Sequence, residues 1–102
     1  MIKKTDKSAT GTSYHMIDVK TTLRKLIDTF GEPQSICNDG SDKTNINYVL
    51  ENSDGMIFTI YDWKMYRPID MDEVLHFHIG AYNVHNAFKA KNEMHGLGLF
   101  VG

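Results

Sequence analysis

Three stretches of this chain alternate side chains with a period of two, and each is bounded by residues that turn the backbone. Ile46, Tyr48 and Leu50 alternate with Asn47, Val49 and Glu51. After Asn52-Ser53-Asp54-Gly55, the run from Met56 to Tyr61 resumes, with Met56, Phe58 and Ile60 facing one way and Ile57, Thr59, Tyr61 and Trp63 the other. Successive strand side chains point to opposite faces, so these two runs read as a hairpin with one core-facing side. The third run is Val74 to Gly80. It separates Leu75, Phe77 and Ile79 from His76 and His78.

Helical spacing flanks the strands. Val19, Leu23, Leu26, Ile27 and Phe30 recur three and four residues apart, with Asp18 as an expected N-cap, Gly31 as a stop and Pro33 beyond. Val84, Ala87, Phe88, Lys91 and Met94 repeat the pattern before Gly96. The segment 34–45 concentrates Asn, Asp, Gly and Ser and reads as a loop. The tail after Gly96 is apolar and is expected to dock on the core or on another copy.

These elements predict one small two-layer α+β domain over residues 16–102, in the order α-β-β-β-α. Its three-stranded antiparallel sheet would be flanked by two helices. Residues 1–15 are polar and lysine-bearing and are expected to form a flexible polar arm. A 102-residue chain buries only about 60–65% of its unfolded surface, so self-association would stabilise it.

Charge and cysteine usage narrow the function classes. A net charge of −2 lacks the basic excess that a duplex-DNA binder needs for its phosphate contacts. Any anionic ligand must therefore be small and met by a few placed groups. One cysteine, Cys37, cannot form an internal disulfide, which suits a reducing, cytosolic setting. The lysines near the start precede no apolar run, so neither a signal peptide nor a membrane anchor is expected there.

No residue set makes an enzyme of it. There is no GxSxG elbow, and Cys37 sits in a polar loop without a partner signature. Asp70, Asp72 and Glu73 read as a solvated acidic link. His76 and His78 share one strand face, a spacing metal sites use, but a third ligand is missing from the pattern, because nothing aims His85 or His95 at that face. No cofactor and no metal are expected.

The richest stretch is Thr59 to Arg67, TIYDWKMYR, which holds the single Trp, two of the five Tyr, a carboxylate and two cations. Tyr61, Trp63 and Tyr66 offer flat faces for a base, and Lys64 and Arg67 offer charge for phosphate. Asp62 is suited to accept from an exocyclic amine and His78 to donate to phosphate. The step from the third strand into the second helix, His78-Ile-Gly-Ala-Tyr-Asn83, adds free N–H groups at a helix start. There Gly80 would allow close approach and Asn83 would stand at the cap. Together these are the parts of a small-nucleotide pocket. An equally simple reading keeps Tyr61 and Trp63 as sheet-end core and Gly80 and Asn83 as turn and cap.

At Ile60-Tyr-Asp-Trp-Lys-Met-Tyr-Arg67 and His78-Ile-Gly80 the chain resembles a family of small viral proteins, found in phages, that act as anti-CBASS nucleotide sponges. Their strand ends in IYDWKxYR and is followed by an HIGG-like turn. The resemblance runs roughly from the first helix through the second. It implies a homo-oligomer in the host cytoplasm that binds a cyclic oligonucleotide immune signal, such as 3′,3′-cyclic GMP–AMP, near a subunit interface without cleaving it, and so blocks host defence. Carried over by position, it nominates Tyr61, Asp62, Trp63, Lys64, Tyr66, Arg67, His78 and Gly80. Ala81 stands where the family turn has a second Gly, which puts the ligand's identity in question. A protein–protein inhibitor using the same Tyr/Trp/Arg patch is the alternative.

Overall fold

The computed structural model describes residues 2–41 and 43–100. Met1, Asp42, Val101 and Gly102 lie outside them, and with them one position of the expected arm, one of the expected loop and the end of the apolar tail. The order of elements is β1 (Lys3–Lys4), β2 (Ser13–Thr21), α1 (Leu23–Phe30), β3 (Ser35–Ile36), β4 (Ile46–Glu51), β5 (Ile57–Tyr61), β6 (Leu75–Ala81) and α2 (Val84–Gly96).

The class is α+β with two helices, but the sheet has six antiparallel strands, which corrects the expected three. Its order is β1-β4-β5-β6-β2, and β3 also pairs with β4. The hairpin β4–β5 and its neighbour β6 match the alternating runs. The additional strands come from segments whose pairing is distant in sequence. Lys3 and Lys4, in the segment read as an arm, lie opposite Glu51 and Leu50, and Ser35 and Ile36 in the expected loop lie opposite Asn47 and Ile46.

The largest correction falls on β2. Asp18 to Thr21 are strand, not the opening of the first helix. Ile17, Val19 and Thr21 are buried while Met16, Asp18 and Lys20 are not, a period of two that places this strand on the far side of β6. Val19 and Leu23 are four apart, which satisfies a helical pattern as well as it satisfies a strand followed by a new helix. The actual N-cap is Thr22, in extended conformation, whose Oγ1 accepts from the Lys25 N–H at 3.2 Å. Gly31, at φ 85°, ends α1 as expected, its N–H donating to the Ile27 carbonyl.

One sheet face is the core. Ile17 and Val19 (β2), Tyr48 and Leu50 (β4), Phe58 and Ile60 (β5) and Phe77 and Ile79 (β6) are buried in one cluster with Leu23, Leu26 and Phe30 of α1 and Ala87, Ala90 and Met94 of α2. Phe30 meets Tyr48 edge-on at 6.0 Å, and the Tyr48 hydroxyl donates to the Gly31 carbonyl at 2.7 Å, tying the end of α1 to β4. Leu99 of the tail is buried in the same core. With both helices and the tail on one face, the opposite face of the sheet is left to carry function.

Candidate functional site

On that open face the register of four strands sets side chains in rows. Asn47 lies opposite Tyr61, Tyr61 opposite His78, and His78 opposite Asp18, so one row crosses β4, β5, β6 and β2. The next row runs through Val49, Thr59, Gly80 and Tyr14.

A bulge in β2 binds the rows together. His78 and Gly80 are two apart along β6, whereas their partners Asp18 and Tyr14 are four apart along β2. The extra residues include Met16, which is 79% exposed at φ 66°. Such an insertion bends the strand and re-aims its side chains. Here it lays the Tyr14 ring on the His78 imidazole, centroids 3.8 Å apart and planes 8° from parallel, and brings the Tyr14 hydroxyl to donate to Asp18 Oδ1 at 2.8 Å. His78 Nε2 is 4.0 Å from the same carboxylate oxygen. Trp63 lies on the imidazole at 6.3 Å and 26°, while Tyr61 meets His78 edge-on at 5.4 Å and Trp63 edge-on at 6.1 Å. The result is a four-ring cluster, with Trp63 still 42% exposed.

Trp63 owes its place to the residue before it. Asp62 is buried, and its Oδ1 accepts from the backbone N–H groups of Asn45 at 2.7 Å and Ile46 at 3.0 Å, its Oδ2 from Asn45 Nδ2 at 2.9 Å. Asn45 Nδ2 also donates to the Arg67 carbonyl, closing the loop at its far end. Between these anchors Lys64 and Tyr66 hold φ of 53° and 51°, conformations that cost a side-chain-bearing residue energy and that surrounding structure must enforce. The Lys64 ammonium sits 5.5 Å from the Trp63 ring centroid.

Beside the rings is a pocket of about 310 Å³ lined by Ala9, Thr12, Ser13, Thr44, Asn47, Thr59, Tyr61, Trp63 and Gly80. Gly80 is part of its floor. A Cβ at that position would meet Thr59 Oγ1 at 2.3 Å, so only glycine fits with the threonine in place. The lining carries hydroxyls, an amide and aromatic carbon and no side chain charged at neutral pH. Larger concavities lie elsewhere, against His85, Phe88 and Lys89 on the outer face of α2 and around Lys3, Lys7 and Glu51 at the sheet edge, but neither gathers aromatic rings of the open face.

Burial and Asp18 set the protonation of the cluster. Burial first, then the hydrogen bond to Asp18, push the Tyr14 phenol up to about 12. Burial, aided by Asp18, raises that of Tyr61. Burial pulls His78 below its ordinary value, against the opposing attraction of Asp18. Near neutral pH the site therefore presents neutral rings.

The nominated residues divide accordingly. Tyr61, Trp63, His78 and Gly80 are brought together, with Lys64 against Trp63. Asp62 faces inward as the loop anchor. Arg67 is engaged by Glu73 in a two-point ion pair, Nη1 to Oε1 at 2.9 Å and Nη2 to Oε2, and also donates to the Pro68 carbonyl. Tyr66 stands 57% exposed on the loop. Asn83 caps α2, its Oδ1 accepting from the Asn86 N–H at 2.8 Å, outside the pocket lining. Among the described residues no group of three or more His, Cys, Asp or Glu is placed to hold a metal ion.

Tyr14, Asp18, Asn47 and Thr59 belong to the site and are absent from the nominated set. The alternation Ile17-x-Val19-x-Thr21 was the available signal for Asp18. Nothing in the sequence signals that Tyr14 reaches across the bulge. Comparison with family models, with curated proteins and with solved structures finds no match to this chain.

Proposed function

We propose that the protein captures a cyclic oligonucleotide second messenger, such as 3′,3′-cyclic GMP–AMP, and holds it uncleaved, blocking host CBASS antiphage defence in the host cytoplasm. The observation that carries this reading is the half-exposed Trp63 ring, braced by His78 and Tyr61 beside an uncharged pocket. Stacking a base on such a ring contributes about 1–3 kcal/mol and tolerates any base. The motif around Trp63 and the His78-Ile-Gly80 turn supplies the second support, through their resemblance to the nucleotide-sponge family. Lys64 beside Trp63 is a cation placed to meet a phosphate, whereas Arg67 is held by Glu73.

A pocket of about 310 Å³ lies at the small end of ligand sites and suits one half of a two-base ligand. Two copies related by a two-fold axis would enclose both halves, which fits the expected homo-oligomer. The test is titration of the protein with 3′,3′-cyclic GMP–AMP, followed through Trp63 fluorescence and calorimetry. Binding that is lost on Trp63→Ala, with intact nucleotide recovered after denaturation, supports the proposal. Linear product would make the protein a nuclease, and no binding at micromolar concentration would end the nucleotide reading. Capture of a host protein that depends on Trp63 and Tyr66, without nucleotide binding, would favour the inhibitor alternative.

A further inference from the structure

Asn47 sits in the pocket wall on β4, opposite Tyr61, and its Oδ1 is buried without a hydrogen-bond partner. Among the described residues one other buried side-chain atom, Thr21 Oγ1, shares that condition. Buried acceptors are nearly always paired, so an unpaired one on a residue that lines a cavity points to a donor arriving from outside. The shape of the space says what kind of donor. Tyr61 and Trp63 wall one side, Gly80 keeps the floor free of a side chain, and Thr44 and Thr59 add hydroxyls. A flat group beside the rings would bring its edge to the amide.

A nucleobase edge presents an N–H next to a ring nitrogen or carbonyl. A carboxamide matches that pair, accepting through Oδ1 and donating through Nδ2, the same two-point geometry by which Asn reads adenine. We infer that this pocket is a base-recognition subsite in which Asn47 accepts from a base N–H while the base stacks on Trp63 with Tyr61 set edge-on beside it. Asn47 is then a specificity determinant of the nucleotide site, and the inference rests on the nucleotide reading above. Lacking charge, the pocket receives the base and leaves the phosphates outside, toward Lys64.

The experiment uses the full chain and the fluorescence of its single tryptophan. The probes are 3′,3′-cyclic GMP–AMP and the same ligand methylated at guanine N1 or doubly at adenine N6, which removes an edge donor from one base at a time. Methylation of the base seated in the pocket is expected to weaken binding roughly tenfold or more. Asn47→Ala is expected to weaken the parent ligand by a similar factor and to abolish the discrimination. The ligand-side comparison requires no variant, so it stands even if Asn47→Ala folds poorly. Equal affinity for parent and both methylated ligands overturns the role of Asn47 and leaves nucleotide binding intact. Failure of the parent ligand to bind overturns both.

Discussion

The Tyr14 ring lies parallel to the His78 imidazole at 3.8 Å, and the two residues come from strands that are more than sixty positions apart in the chain. Among the described residues Asp18 from β2, Tyr61 from β5 and Trp63 from the loop after it also face this imidazole. Its neighbours are mostly carbon, which is why burial outweighs the carboxylate and disfavours its charged form.

His78 is therefore expected to titrate below 6.5, the ordinary histidine value. With the folded-state value depressed, the unfolded chain binds the proton first, so stability rises with pH through this window. The contribution is complete above about 6.5 and is lost as pH falls through the folded-state value. Proton NMR of the His78 ring gives the midpoint directly. Tyr14→Ala opens the ring to water and should move it upward; a midpoint already at or above the ordinary value would contradict the burial argument.

Alkaline titration tests the other ring. Burial and the bond to Asp18 push the Tyr14 phenol up to about 12, so it is expected to stabilise the fold below about 10, a contribution lost as pH rises from there towards 12. Tyr14→Phe should remove one late-ionising phenol from the absorbance titration while preserving the stack on His78. A variant whose late phase is undiminished would show that another tyrosine carries it.

Asp62 should behave as an anchor and not as a ligand group. Replacing it with Ala leaves the N–H groups of Asn45 and Ile46 without their acceptor in a buried place, and chemical denaturation is expected to show a loss of roughly 2–4 kcal/mol. The Trp63 emission should also shift to the red in the folded variant, as the loop that holds it relaxes. An unchanged denaturation midpoint would mean that the carboxylate is dispensable to the loop.

Gly80 and Thr59 should be coupled. Gly80→Ala forces a methyl against Thr59 Oγ1 and is expected to cost about 1–3 kcal/mol. Thr59→Ala removes the obstructing oxygen and leaves the threonine Cβ position at 3.7 Å, an ordinary contact. The double variant should thus be more stable than the sum of the two single losses implies, a positive coupling in a double-mutant cycle. Additive losses would place the strain elsewhere.

Much of the architecture was legible because it depends on local periodicity. The hairpin β4–β5, the faces of Phe58 and Ile60 against Thr59 and Tyr61, the strand with His78, and the stop of α1 at Gly31 follow from residues within a few positions of each other, whereas α2 runs through the expected stop at Gly96 and is capped at Leu97. β2 was not legible as a strand, because Val19 and Leu23 also satisfy helical spacing and its partner β6 lies far along the chain. β1 and β3 are two residues each, too short to show any period.

The candidate site divides along the same line. Sequence by itself determined that Tyr61, Trp63 and His78 lie on or near one end of neighbouring strands, since alternation is a property of each strand alone. Only tertiary structure decided that Asp62 turns inward to bind Asn45, that Arg67 is occupied by Glu73, and that a bulge lays Tyr14 on His78. Those outcomes depend on register between strands and on which donors burial leaves without water, and neither quantity is written in the spacing of residues along one chain.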